Sequence, residues 1–122
     1  MNNSGICIRE LIEYFKIDSK DVIVFHDDID IGLGKVTVKF GGNSAGHNGI
    51  ESIDNFIGKD YSRVRIGIGR PNKEGMVVEH VLDNFTEDEK NSIAAITNNI
   101  VEYLPVLIDK KLNLFSSKVN QL

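Results

Sequence analysis

Apolar residues recur every three to four positions near the start of the chain, which predicts an amphipathic helix over roughly residues 5–16. Ser4 precedes this segment and is expected to be its N-cap. The same spacing predicts a second helix over about residues 47–57. Either His47 or Asn48 is expected to cap that helix, because both side chains offer a hydrogen-bond acceptor at its start.

A long helix is predicted after Thr86, because three acidic residues fill its first turn, where they favour the helix dipole. Apolar residues at helical spacing continue beyond it, and Pro105 is expected to bend the helix. The tail over residues 110–122 is expected to be helical at first and then frayed.

Three segments have the pattern of β-strands. Residues 22–25 form a continuous run of β-branched and aromatic side chains, which is typical of a strand buried on both faces. Residues 35–40 and 62–70 alternate polar with apolar side chains, as half-exposed strands do. Together with the helices, the strands predict an α/β fold with a mixed, twisted sheet flanked by helices. Three strands are few for such a chain, and the edges of so small a sheet need cover.

Composition narrows the class of protein. The chain has 122 residues, 41% of them apolar and 26% charged, which fits one soluble domain. The longest apolar runs are far shorter than the roughly 18 residues that span a bilayer, so no membrane is expected. The single cysteine, Cys7, cannot form an internal disulfide, which fits a reducing, cytoplasmic location.

The net charge of −4 argues against binding nucleic acid through bulk charge alone. A local basic face is still possible, because the second and third predicted strands and the turn that follows carry clustered cations. They are Lys35, Lys39, Arg63, Arg65, Arg70 and Lys73. Such a cluster suits phosphate contacts. The alternative is a solvated sheet face whose cations pair with nearby acids.

Ionisable residues follow the first predicted strand in quick succession, at the strand end where ligands of α/β proteins bind. They are His26, Asp27, Asp28 and Asp30. They could bind a metal, orient a catalytic base or form a solvated turn. A magnesium site would need oxygen ligands from several segments, and the second candidate cluster offers none clearly.

That second cluster is the glycine-rich loop over residues 41–49. It superficially resembles a phosphate-binding loop, yet it matches neither the GxxxxGK[ST] nor the GxGxxG pattern. Small residues would equally suit a tight crossover from strand to helix, with His47 as a cap. Asn48 beside it is the better candidate for a hydrogen bond to a ligand. His80 is expected to be an unremarkable surface residue.

Three segments, taken together and in order, resemble bacterial peptidyl-tRNA hydrolase: FHDDID at 25–30, GGNSAGHNG at 41–49 and RVRIGIGRP at 63–71. The opening MNNSG also resembles a segment that lies inside the full-length enzyme of that family. The resemblance implies hydrolysis of the ester bond between a peptide and tRNA, with peptidyl-tRNA as the partner. It further implies no metal or organic cofactor, and a monomer when full length.

The resemblance also assigns roles to individual residues. Asp27 matches the carboxylate that orients a catalytic histidine, which activates the attacking water. Asn2 and Asn48 match asparagines that hold the water or the substrate, and His47 matches a histidine beside the peptide-binding cleft. Lys39 and Arg65 match a basic pair that in the family clamps a phosphate of the tRNA.

The chain departs from the family pattern at the catalytic histidine, which belongs to a segment like GNPGxxYxxTRHNxG that these residues do not contain. The three histidines present match other family positions. The chain is therefore expected to be a single partial domain over 1–122, about the carboxyl-terminal two-thirds, without the N-terminal strands and inactive alone. Thr37 stands where many relatives carry lysine, and Lys35 is expected to compensate. A catalytically inactive RNA-binding relative and a non-functional fragment are the alternatives.

Overall fold

The computed structural model describes residues 3–69 and 85–121. Helices and strands are mixed up to residue 67, and the elements described after residue 85 are all helical. In chain order the elements are α1 (Ser4–Phe15), a 3-10 turn (Ser19–Asp21), β1 (Ile23–Asp28), β2 (Val36–Phe40), α2 (Asn48–Ile57), β3 (Ser62–Gly67), α3 (Glu87–Glu102), α4 (Leu104–Ile108) and α5 (Leu112–Val119).

The helix starts follow local capping chemistry. At α3 the Thr86 hydroxyl accepts from the Glu89 backbone N–H at 3.2 Å, and the Glu89 carboxylate accepts from the Thr86 N–H at 2.8 Å. This capping box fixes the predicted start of the long helix. The predicted cap of α1 is wrong, because Ser4 is already helical and Asn3 holds the cap position without a side-chain hydrogen bond.

The carboxyl-terminal helices differ from the sequence prediction in two respects. The bend expected at Pro105 is a break, since α3 ends at Glu102 and α4 begins with Pro105 in its first turn, where a missing N–H costs little. The fraying expected in the tail is wrong. Phe115 and Val119 in α5 are fully buried, and this burial holds the helix in place.

The three strands form one mixed sheet in the order β1–β3–β2, which confirms the predicted class. Hydrogen bonds set the directions. The Ser62 N–H donates to the Val22 carbonyl at 3.0 Å and the Ile68 N–H to the Asp28 carbonyl at 3.0 Å, so β3 runs parallel to β1. On its other side β3 runs antiparallel to β2, because residues 61 and 67 pair with residues 41 and 35.

The chain divides into two compact units, Met1–His26 with Lys39–Val64 and Asp27–Val38 with Arg65–Leu122. In the first unit, α1 packs on α2 around Ile50, Ile53 and Tyr61, which are buried. In the second, α3 and α4 contact α5. The apolar side chains buried in that unit include Val36, Ile96, Ile100, Leu107, Phe115 and Val119. The expectation of a single domain stays a prediction.

Close contact between α1 and α2 depends on Gly5. Its N–H donates to the Ser52 hydroxyl at 3.1 Å, and a Cβ at this position would clash with the Ser52 carbonyl oxygen and the Phe56 ring. A similar approach occurs at Gly67, where a Cβ would clash with the Gly32 carbonyl. Gly67 itself is buried. Among the residues described, no helix is both long and apolar enough to cross a membrane.

Candidate functional site

The carboxyl end of β1 carries two adjacent aspartates with different surroundings. Asp28 is buried, and its Oδ2 accepts hydrogen bonds from Arg65 Nε at 2.8 Å and Arg65 Nη2 at 2.7 Å. Its Oδ1 accepts from the Asp30 backbone N–H at 2.7 Å. Both carboxylate oxygens are therefore engaged, one by the turn that ends the strand and the other by a guanidinium.

Asp27 lies within β1 and is partly exposed. Because successive side chains of a strand point to opposite faces, Asp27 faces away from Asp28. The predicted orienting carboxylate is thus separate from the Asp28–Arg65 pair. The sequence placed both aspartates after the strand, whereas β1 extends to include them.

Arg63 does not belong to an exposed basic face, which corrects the sequence prediction. Its side chain is 2% exposed, and its Nη2 lies 2.7 Å from Asp54 Oδ1 of α2, which is 8% exposed. Its Nη1 donates to the Gly42 carbonyl at 3.0 Å. Arg63 and Arg65 each pair with a nearby acid, as the alternative interpretation expected, although Arg63 is buried and not solvated. Lys35 and Lys39 are exposed, as the prediction requires.

Asp54 joins Arg63 to Tyr61, whose hydroxyl donates to Asp54 Oδ1 at 2.7 Å. The Arg63 guanidinium lies 4.7 Å from the centre of the Tyr61 ring. Burial raises the pKa of Tyr61 well above its ordinary value, and the hydrogen bond to the Asp54 carboxylate raises it further. The Tyr61 carbonyl accepts from the Gly41 N–H at 2.9 Å, so this network also anchors the start of the glycine-rich loop.

The glycine-rich loop needs left-handed backbone at several positions. Gly42 has φ +103°, and a Cβ there would lie 2.9 Å from Lys39 Cε and 3.0 Å from Lys39 Nζ. Lys39 therefore folds over the loop, and glycine at position 42 leaves room for its side chain. The Asn43 side chain accepts from the Ala45 N–H at 3.0 Å, which turns the chain toward α2.

His47 caps α2, which confirms one of the two predicted caps: its Nδ1 accepts from the Ile50 backbone N–H at 3.2 Å. In the neutral ring the proton is then on Nε2, so this imidazole can donate a hydrogen bond from that nitrogen. The His26 ring lies edge-on to it, with ring centres 4.9 Å apart.

Asn48 is the first residue of α2 and opens onto a shallow groove of about 240 Å³. One face of the helix lines this groove, with Glu51, Ser52, Asn55 and Phe56 beside Asn48. The Arg9 guanidinium lies 4.8 Å from the centre of the Phe56 ring, on the α1 side. The groove thus extends from the amide of Asn48 along a polar helix face to an aromatic ring.

Comparison with known proteins decides the family. The model of the family described as "Peptidyl-tRNA hydrolase" matches residues 1–122. This chain belongs to the peptidyl-tRNA hydrolase family. A peptidyl-tRNA hydrolase of Pelagibacter ubique is 70% identical over 120 residues, which are 98% of this chain and 64% of that protein. The one of Nitrobacter winogradskyi is 42% identical, over 98% of this chain and 59% of its own length.

Solved structures of peptidyl-tRNA hydrolases have the same fold. That of the Acinetobacter baumannii protein at 1.00 Å resolution has a TM-score of 0.89 and 28% identity, over 98% of this chain and 61% of that one. A complex of peptidyl-tRNA hydrolase with n-propanol has the same TM-score and identity. The family match over residues 1–122 does not bear out the expectation of a truncated chain. The chain spans less than two-thirds of the length of these relatives.

The structure places four of the six residues that the peptidyl-tRNA hydrolase resemblance singled out in defined surroundings, namely Asp27, Lys39, His47 and Arg65. Asn48 is exposed at the start of α2, while Asn2 lies outside the described residues, as do His80, Arg70 and Lys73. The sequence analysis did not identify Asp28 as the partner of Arg65 or Asp54 as the partner of Arg63. Within the described residues, no group of three or more histidine, cysteine or acidic side chains could hold a metal ion.

Proposed function

We propose that this chain provides the tRNA-binding surface and part of the hydrolytic site of a peptidyl-tRNA hydrolase, which cleaves the ester bond between a peptide and tRNA. The family match over residues 1–122 carries this proposal. The 70% identity to the Pelagibacter protein of that name supports it. The substrate is peptidyl-tRNA, the location is the cytoplasm, and the working form is a monomer.

Asp27 takes the role of the carboxylate that orients the catalytic histidine, which removes a proton from the attacking water. Its partial exposure within β1 supports this role, because the carboxylate is held by a strand and still accessible. The histidine is none of the three in this chain. For His47 the cap supports that exclusion, since its Nδ1 already accepts a hydrogen bond from the Ile50 N–H.

His47, Asn48 and Asn2 bind the substrate around the ester. His47 offers an Nε2–H donor, which suits the carbonyl oxygen that gains negative charge during attack. The Asn48 amide can donate to the peptide and accept from the water. The groove beside Asn48 leads along α2 and offers space for the residues next to the ester.

Lys39 and Arg65 bind a phosphate of the tRNA, which explains basic contacts on a chain of net charge −4. Lys39 offers a compact ammonium beside the glycine-rich loop, and Arg65 offers a planar guanidinium that can hold two phosphate oxygens. One observation favours a second candidate function, binding of tRNA without catalysis. Lys39 and Arg65, the proposed phosphate-binding pair, are among these residues, whereas a segment like GNPGxxYxxTRHNxG, which carries the family's catalytic histidine, is not.

Turnover and binding assays on the purified chain distinguish these functions. We expect negligible hydrolysis of a peptidyl-tRNA, because these residues contain no segment like GNPGxxYxxTRHNxG, to which the family's catalytic histidine belongs, and loss of a catalytic member costs several orders of magnitude in rate. Turnover at the rate of a full-length relative would contradict the prediction that the purified chain is inactive alone. A cooperative thermal transition is expected, and its absence would favour a non-functional fragment.

Binding of tRNA should depend on Lys39. We expect Lys39→Ala to weaken the affinity for uncharged tRNA and to lower the slope of log K against log salt by about 1. Lys90→Ala is the matched control, because Lys90 is an exposed lysine on α3 whose removal changes the charge equally. Equal effects of the two substitutions would refute a specific phosphate contact at Lys39.

A further inference from the structure

The contact between Asp28 and Arg65 leaves one edge of the guanidinium for another ligand. Arg65 directs Nε and Nη2 to the single oxygen Oδ2 of Asp28, at 2.8 and 2.7 Å. This uses the side edge of the planar group. The end edge, formed by Nη1 and the second hydrogen of Nη2, has the spacing that binds a phosphate through two hydrogen bonds. The Arg65 side chain is 29% exposed, in contrast to the buried Arg63.

The carboxylate that holds Arg65 is itself fixed. Asp28 is 8% exposed, lies at the end of β1, and accepts from the Asp30 N–H through its second oxygen at 2.7 Å. A backbone turn thus orients the carboxylate, and the carboxylate orients the guanidinium. An arginine held in this way loses little side-chain freedom when it binds a ligand, which improves affinity without a new contact.

We propose that Asp28 is a positioning residue for the phosphate contact of Arg65. This inference rests on the proposed function, in which Arg65 binds a phosphate of the tRNA. The opposite expectation comes from charge alone. Asp28 cancels the charge of Arg65, so a purely electrostatic role predicts that removing the carboxylate tightens tRNA binding. Positioning predicts that it weakens binding, and the sign of the effect separates the two.

The test measures the affinity of the 122-residue chain for uncharged tRNA at fixed salt, with the substitutions Asp28→Asn and Arg65→Lys. We expect Asp28→Asn to weaken binding about threefold to tenfold, since this corresponds to losing one immobilised side chain. Asp109→Asn is the charge-matched control, at the exposed end of α4. In the Arg65→Lys background Asp28→Asn should have no further effect, because a lysine cannot use the Asp28 geometry.

Each outcome decides a different claim. If Arg65→Lys leaves tRNA binding unchanged, the contact of Arg65 with a phosphate through two hydrogen bonds fails, and the role of Asp28 fails with it. If Arg65→Lys weakens binding but Asp28→Asn tightens it, or weakens it equally in both backgrounds, only the positioning role is overturned. If Asp28→Asn does not fold, NMR of the wild-type chain decides. The Arg65 Nε–H should be protected from exchange like that of buried Arg63, and exchange as fast as that of Arg9 would overturn the proposal.

Discussion

Removal of the Asp54 carboxylate should destabilise the fold more than any surface substitution, because it leaves a buried charge without its counterion. Asp54 Oδ1 lies 2.7 Å from Arg63 Nη2 and 2.7 Å from the Tyr61 hydroxyl, and Arg63 is 2% exposed. In Asp54→Ala the Arg63 guanidinium can still donate to the Gly42 carbonyl, but the Tyr61 hydroxyl loses the carboxylate that accepts from it.

The expected loss is about 3–5 kcal/mol in the free energy of unfolding, which is the usual cost of breaking a buried ion pair. A domain of this size has about 5–15 kcal/mol in total, so the loss is a large fraction. Asp54→Asn should cost less, because it keeps one carbonyl oxygen as an acceptor. The double variant Arg63→Met with Asp54→Ala should be more stable than Asp54→Ala by at least about 1.5 kcal/mol, because no charge stays buried.

Urea unfolding at pH 7, followed by circular dichroism and by tyrosine fluorescence, measures these free energies if both signals change together. The reasoning is refuted if Asp54→Ala costs less than about 1 kcal/mol, the range of exposed ion pairs. It is equally refuted if the double variant loses the sum of the two single losses, which would mean that the two side chains do not interact.

Two further predictions concern the same unit. Gly5→Ala should lower the free energy of unfolding by about 1–3 kcal/mol, since its methyl group would overlap Ser52 and Phe56, whereas Gly32→Ala should change it by less than about 0.5 kcal/mol in the same urea titration. The raised pKa of Tyr61 means that the unfolded chain loses this proton first as the pH rises above about 10, so wild-type stability should fall there. The stability of the Tyr61→Phe variant should fall less over the same pH range. Urea titrations at pH 8 and above pH 10 measure both losses, and equal losses in wild type and Tyr61→Phe would contradict a raised Tyr61 pKa.

Local signals in the sequence were sufficient for much of the fold. Helical spacing located α1 and α2, and Thr86 with its acidic first turn located α3. A continuous run of β-branched and aromatic residues located β1, and alternation located β2 and β3. The site was harder, because its decisive contacts join residues far apart in the chain. Asp28 and Arg65 are separated by 37 positions, and no pattern in either segment says which acid pairs with which base.

The same reason explains the errors. Arg63 has the alternation of an exposed strand residue, yet Asp54 on α2 makes its burial possible. The tail has few local helix signals, and it is ordered by the burial of Phe115 and Val119. His47 was foreseen as a cap because capping depends on neighbours only three positions away, which is the range over which sequence is informative.

Asn120 bears on how this chain avoids unwanted sheet growth. The Lys35 carbonyl accepts from the N–H of Gly67, the last residue of β3. Since the peptide groups of a strand alternate in direction, the N–H and carbonyl of Val36 point away from β3. The Asn120 amide accepts from the Val36 N–H at 2.9 Å and donates to the Val36 carbonyl at 2.7 Å. A side chain thereby imitates one rung of a neighbouring strand. A foreign strand would have to displace this amide before pairing at Val36, so that position is closed to intermolecular β-pairing.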